Sequence, residues 1–260
     1  MGVKKLSVLY PIFQVEQKIE EGLKSVAKQA DHDLDVVNLL QVPKDELPRP
    51  AVDLLSGDGR FKIVEDNYKN IAQMMNRGFS VAGGEVVVYL PPNIELEEKA
   101  LPAVRQAFQE NVKAGFAYAD YEEVFPDGRV EKKKLRNYDG DITERANFGY
   151  VKAYSKSVVQ ALGGYDETMN RAEEYDLRLK ISDRWDLVRI PQILYRLRIS
   201  PEKAEERKAN VGASKLFFPG EGKYGGFSYL FYDKDEEKEI EEAFYRMLKR
   251  RGAFLSHDNA

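Results

Sequence analysis

Glu85-Val86-Val87-Val88-Tyr89-Leu90, followed at once by Pro91-Pro92-Asn93, decides the fold. The run is apolar on both faces, which suits a central strand of a parallel sheet covered on each side. Upstream, Ile71, Met74, Met75 and Ala82 mark a helix stopped by Gly83-Gly84, with the methionine pair read as core. Before it, Gly57-Asp58-Gly59 turns the chain into a short strand at Phe61 to Val64, after a loop punctuated by Pro43, Pro48 and Pro50. Leu34 to Leu40 reads as another strand. Val15, Ile19, Leu23, Val26, Ala27 and Ala30 recur at helical spacing, and Leu6 to Tyr10 is a buried strand closed by Pro11. Strands separated by crossover helices imply right-handed βαβ units.

Downstream the pattern is mixed. Leu101 to Ala114 reads as a helix with Pro102 in its first turn, and Phe116 to Asp120 as a strand. Pro126-Asp127-Gly128 turns the chain between Glu122-Glu123-Val124 and Arg129-Val130. Ser155 is placed to cap a short helix that ends at Leu162 and Gly163. A second short helix is expected from Glu173 to Ile181, then a strand from Leu187 to Ile190 ending at Pro191. Lys215 to Tyr232 is rich in aromatics and glycine. Asp235 to Arg251 comes next as an amphipathic helix with Ile240, Ala243, Phe244, Met247 and Leu248 on one face. The expected organisation is an α/β domain over 1–200 and an aromatic-rich segment with a C-terminal helical appendage over 201–260. That appendage is expected to pack on the domain or on a partner subunit.

Composition narrows the functions. Forty basic against 44 acidic residues give a net charge of −4, which argues against a nucleic-acid binder with a concentrated basic excess. Cysteine is absent, which excludes disulfides, thiolate metal sites and thiol nucleophiles. Only two histidines occur, His32 and His257, so His-rich metal sites and most His-based catalysis are excluded, and neither is given a role. The abundance of Lys and Glu resembles a heat-adapted intracellular composition. The apolar run at Leu6 to Tyr10 is too short for a signal-peptide core, and no run nears the ~20 residues needed to span a bilayer. A cytoplasmic protein is expected.

Ligands of open parallel sheets bind beyond the carboxyl ends of the strands. The loops there are Pro11 to Gln14, Gln41 to Asp45 and Pro91 to Glu95, and they contain neither a Walker loop nor G-x-G-x-x-G. Four segments instead carry a family resemblance. In LSVLYPIFQVEQKIEEGLKSVAKQ, Pro11 and the Ser25/Gln29 pair match; in MMNRGFSVAGGEVVVYL, Asn76, Gly78, Ala82, Gly84 and Glu85 do. FAYADYEEVFPDGRV and LGGYDETMNRAEEYDLRLKI complete the order, the last being the most specific. Together, over about residues 5–200, they resemble the family-two glycosyltransferases of GT-A fold.

The resemblance implies a GT-A-like α/β fold, a mixed and mainly parallel sheet flanked by helices. It also implies transfer of a sugar from a nucleotide-sugar donor to a hydroxyl acceptor (glycan, lipid or small molecule) with inversion. Glu174 stands where the family has its catalytic aspartate, as the base that takes the acceptor proton, with Glu173 as second choice. Pro11, Phe13, Gln14, Gln41, Asn76, Asn93 and Asp120 are the implied donor-binding positions. The departures are as informative. Family members carry Asp-x-Asp after the central strand to hold Mg²⁺ or Mn²⁺ against the diphosphate. Pro91-Pro92-Asn93 stands there instead, so Asn93 offers a metal one neutral oxygen and Glu95 is out of register. Leu40-Gln41 replaces the base-reading aspartates and Gln14 the usual asparagine. Weak or no metal dependence is expected, with Arg77, Arg178, Arg196 or Arg198 as cations for the leaving group.

A second reading keeps the fold and gives up catalysis, leaving a binding or assembly module with the aromatic segment as its interface. A nucleotidyltransferase shares the layout but lacks its Gly-rich basic loop. Lys132-Lys133-Lys134 reads first as a solvated face. The stretch from Phe217 to Tyr232 either stacks on sugar rings or joins the terminal helix to the domain or a second copy, leaving a homo-oligomer open.

Overall fold

The computed structural model describes residues 5–14, 19–30, 33–205 and 234–253. Val15, His32, His257 and the aromatic stretch 217–232 lie outside the described residues.

The strands are β1 (Leu6–Ile12), β2 (Leu34–Leu40), β3 (Phe61–Glu65), β4 (Val86–Tyr89), β5 (Ile94–Leu96), β6 (Ala114–Val124), β7 (Val130–Lys133), β8 (Lys152–Ser155) and β9 (Asp186–Arg198). They form one nine-stranded sheet in the order β3-β2-β1-β4-β8-β6-β9-β5, with β7 paired to β6. β3, β2, β1, β4, β6 and β9 run one way, and β8, β7 and β5 run against them. The helices are α1 (Ile19–Ala27), α2 (Arg49–Gly57), α3 (Ile71–Val81), α4 (Ala100–Glu110), α5 (Lys156–Ala161) and α6 (Glu173–Ser182), then a helical turn at 201–205 (α7) and α8 (Lys234–Arg250). α3 packs on β1 and β2, while α4 and α6 pack on β6 and β9.

Val86, Val87 and Val88 are completely buried, as a central strand requires. Burial of each contributes about 1.5–3 kcal/mol. The mixed, mainly parallel architecture expected from the sequence is the one observed. Several boundaries differ, each for a physical reason. β1 continues through Pro11 to Ile12, opposite Leu39 and Leu40. Its pairing with β4 ends at Leu9↔Tyr89, so the missing Pro11 N–H falls where no ladder partner stands. β9 likewise runs past Pro191 to Arg198, because the register against β6 slips between Ile190 and Ile193 and absorbs the proline in a bulge. α2, read as a proline-punctuated loop, is a helix with Pro48 at its N-cap and Pro50 in its first turn, where proline lacks only an orphan donor. β5 and β8 are short strands that the periodicity did not reveal. Ser155 is at the N-cap of α5 but makes no capping bond; its hydroxyl lies 3.2 Å from that of Ser157.

α8 lies on α6. Ala243 and Met247 are buried against Met169, Ala172, Tyr175 and Leu179, with Ile240, Phe244 and Leu248 around them. Arg246 reaches Asp166 at 2.5 Å, and Arg250 and Arg251 both bind Asp183.

Candidate active site

The carboxyl ends of β1, β2 and β4 meet along one edge of the sheet. The Gln41 amide donates to Ile12 O at 3.0 Å, which locks the ends of β1 and β2 together. Pro11 is buried within this edge, and Phe13 (39% exposed) and Gln14 form its rim. Gln41 keeps a buried Oε1 without a partner, an oxygen this edge can offer to a donor group.

The loop after β4 is fixed from below. Tyr10 on β1 donates through its hydroxyl to Pro92 O at 2.8 Å, with Ile19 O 3.1 Å away. Gly22 of α1 lies beneath, and a Cβ there would meet the Tyr10 hydroxyl and stand 2.8 Å from Pro92 O. The Ser25/Gln29 pair anchors the chain just beyond Asn93: Ser25 Oγ accepts from Leu96 N at 2.9 Å, and Gln29 Nε2 donates to Glu97 O at 3.0 Å. The signature of α1 thus holds the segment that carries Pro91 to Asn93.

Asn93 is half-buried in that loop. Glu95 is directed to Arg198 across the β5–β9 pair, so it does not turn back toward Asn93. No group of three or more His, Asp or Glu side chains able to hold a metal occurs among the described residues. A hard divalent cation asks for several oxygens, preferably carboxylate. The donor set around Asn93 does not fit one.

Glu174 sits in the first turn of α6 and forms an ion pair with Lys152 of β8. Lys152 stands opposite Tyr89 of β4, so the carboxylate is held beside the end of the central strand. Burial, then the negative charges of Glu174 and Glu173, push the Tyr89 phenol well above its ordinary range. A cavity of about 280 Å³ opens here, lined by Lys152, Glu174, Tyr175, Arg178 and Phe148, with Glu236 and Ile240 of α8 on its far wall. Glu173, the second candidate, has a buried Oε2 without a partner. Burial raises its carboxyl pKa, and Glu174 and Glu239 push in the same direction. Asp176, the last acid of the motif, is fully buried with Lys180 at 2.5 Å.

Asn76 and Asp120 serve the scaffold in this structure. Asn76 donates to Tyr165 O and Glu167 Oε1, both at 2.9 Å, and accepts from Tyr165 N at 2.8 Å. It pins the Gly163-Gly164 turn, where Gly164 has φ +79° and a Cβ would meet Asn76 Oδ1 at 2.5 Å. The whole amide is engaged in aiming the loop that leads to α6. Asp120 is 4% exposed and receives Arg189 at 2.9 and 2.7 Å and Leu135 N at 2.9 Å.

Two of the four candidate cations are committed elsewhere. Arg196 pairs with Glu97 and Glu122, and Arg198 with Glu95 and Glu21. Arg77 lines a separate cavity of about 320 Å³ with Asp66, Tyr68 and Asn76. Arg178 is beside Glu174: its Nη2 donates to Thr143 O at 2.9 Å, and its guanidinium lies over the Phe148 and Tyr175 rings. Sequence reasoning missed Lys152, Tyr89 and Glu239. A single lysine in the otherwise apolar YVKAY stretch was the available signal for Lys152.

The family model for glycosyl transferase family 2 matches residues 7–163. Over 131 residues the chain is 30% identical to GalNAc(5)-diNAcBac-PP-undecaprenol beta-1,3-glucosyltransferase of Campylobacter jejuni, covering 50% of this chain and 40% of that protein. It therefore spans well under half of that relative's length. Among solved structures, S. aureus TarS 1-349 superposes with a TM-score of 0.60 at 18% identity, over 96% of this chain and 72% of that one. The mannosyltransferase PcManGT from Pyrobaculum calidifontis, solved with GDP-Man and Mn²⁺, gives 0.58 at 16% identity, over 82% and 62%. At such identities the likeness concerns the fold.

Proposed function

The chain belongs to glycosyltransferase family 2, and from that premise we propose that it transfers a glycosyl group from a nucleotide-sugar donor to a hydroxyl acceptor, with inversion and with Glu174 as general base. The acceptor oxygen forms a bond to the anomeric carbon as the bond from that carbon to the donor phosphate breaks. The hydroxyl proton passes to Glu174, and the nucleoside diphosphate leaves with the electron pair. The observation that carries this reading is the Glu174 carboxylate lining a cavity together with Lys152, its ion-pair partner on β8, the strand paired to β4. Little or no dependence on a divalent cation goes with the single neutral oxygen at Asn93, and Arg178 is the arginine that shares the cavity with the base. The printed activity of the Campylobacter relative makes a lipid-linked acceptor the first class to try. No helix among the described residues is long and apolar enough to cross a membrane.

The test is a melting screen of UDP-, GDP- and dTDP-sugars with and without Mn²⁺, followed by turnover. A bound donor at ~100 times its Kd adds about 2.7 kcal/mol. Glu174→Gln is expected to keep that stabilisation and lose turnover by about 10²–10⁴-fold. Stabilisation without turnover in the unaltered protein would favour a binding module instead.

A further inference from the structure

α6 begins without a cap of its own. Its N-cap residue is Ala172, which has no side chain to accept from the free amides of the first turn. α8 supplies an acceptor just ahead of the helix, to the amides of the N-cap residue and of the two residues before it. Glu239 Oε2 accepts from Asn170 N at 2.9 Å, Arg171 N at 2.8 Å and Ala172 N at 3.2 Å, and its Oε1 lies 3.2 Å from Asn170 N. A carboxylate is thereby set at the positive end of the α6 dipole, directly before Glu173 and Glu174.

The two helices are joined a second time, at their far ends. Arg250 and Arg251 bind Asp183 at the other end of α6. From Glu239 to Arg250 and from Ala172 to Asp183 the helical rise is the same, roughly 16 Å, so the two helices run parallel and in step. Glu236 and Ile240, neighbours of Glu239 on α8, line the cavity that contains Glu174.

We propose that Glu239 is a positioning residue of the transfer reaction: by holding the 170–172 amides it fixes the start of α6 and with it the Glu174 carboxylate. The first half of α8, around Glu239, is then a working part of the active site, and its far end is not. The inference rests on the base role given to Glu174 above.

Glu239→Ala, Glu239→Gln and Arg251→Ala, each in the full chain, test it. Misplacement by roughly 1 Å costs about 100-fold, so Glu239→Ala is expected to lower kcat by about 10- to 100-fold while the donor KM stays within about two-fold. Glu239→Gln, which keeps an accepting oxygen, recovers most of the loss. Arg251→Ala loosens the distant end of the same helix and leaves kcat unchanged. Hydrogen exchange at the 170–176 amides rises in Glu239→Ala and not in Arg251→Ala. Unchanged kcat in Glu239→Ala overturns the proposal, as does an equal kcat loss in Arg251→Ala at a matched drop in Tm. If the unaltered protein turns over no donor, the functional reading fails and this one with it. Faster exchange at 170–172 then identifies Glu239 as a structural cap only.

Discussion

The ammonium of Lys152 rests on the carboxylate of Glu174, joining the strand beside Tyr89 to the first turn of α6. In its proposed role as base Glu174 must be held where the acceptor proton is released, and a glutamate has three rotatable bonds through which to wander. Lys152 is itself largely enclosed, so the pair is better shielded than a surface ion pair. Lys152→Met is expected to lower kcat by about ten-fold with donor KM changed by less than about two-fold, because orientation and not donor affinity is lost. Steady-state kinetics with varied donor decide it; a rise in KM alone would place Lys152 on the donor.

Asp120 and Arg189 form an enclosed ion pair between β6 and β9, two residues beyond Tyr118. The pair also fixes Leu135 N, and the carboxylate raises the Arg189 pKa through its hydrogen bonds. Removing one partner of a buried pair leaves the other charge uncompensated. Asp120→Ala is expected to cost about 3 kcal/mol in urea unfolding, at the low end for buried pairs because Arg189 retains some contact with water. Donor-induced stabilisation of the variant is expected to persist. Its loss in Asp120→Asn at unchanged Tm would return Asp120 to the donor site.

Acid is expected to loosen the contact between α8 and the Asp166 turn. Asp166 accepts from the Thr168 hydroxyl and amide and from Arg246 of α8. Burial opposes its ionisation, yet these bonds outweigh that and bring its pKa from 3.8 to about 2. A carboxyl depressed by folding adds stability above its unfolded pKa and loses it as pH falls through the folded value. The window is therefore about pH 4 down to about pH 2. The contribution is about 2 kcal/mol at most, reduced by the partial exposure of Arg246. Asp166→Asn is expected to lower stability at pH 6 and to flatten the profile within that window, as urea titrations at several pH values will show.

How far each signal reaches along the chain decides what could be read from residues alone. The all-apolar run from Val86 to Val88 and the 3.6-residue spacing through Met74 and Met75 are local, and both elements stand where they were expected. The structure departs from the sequence pattern at Pro11, Pro50 and Pro191, because the effect of a proline depends on whether a neighbouring strand or helical turn asks for its N–H. The order Glu173-Glu174-Tyr175-Asp176 pointed to the candidate base, but its partner Lys152 comes from a four-residue strand with no pattern of its own. The roles of Asn76 and Asp120 in the scaffold could not be read, since their partners lie 89 and 69 residues away. Glu239 was hidden for the same reason: one more acid on a charged helix looks solvated until the amides opposite it are known.

Gly22 is where a single methyl group tests the link from α1 to the loop after β4. A Cβ there would drive into the Tyr10 hydroxyl and stand 2.8 Å from Pro92 O and 3.1 Å from Ile94 O. Two of these three obstacles are backbone, and Tyr10 is fully buried, so none can swing aside cheaply. Either α1 moves off the sheet or the Tyr10–Pro92 bond opens and the Pro91 to Asn93 loop shifts outward. Overpacking of this kind costs about 1–3 kcal/mol. Gly22→Ala is accordingly expected to fold with a lowered Tm and, if the loop bears on the donor, to raise donor KM more than it lowers kcat. The counterpart Gly57→Ala, where a Cβ meets nothing within 4 Å, controls for the change of residue type. An unchanged donor KM in a folded but destabilised Gly22→Ala protein would separate the loop after β4 from donor binding.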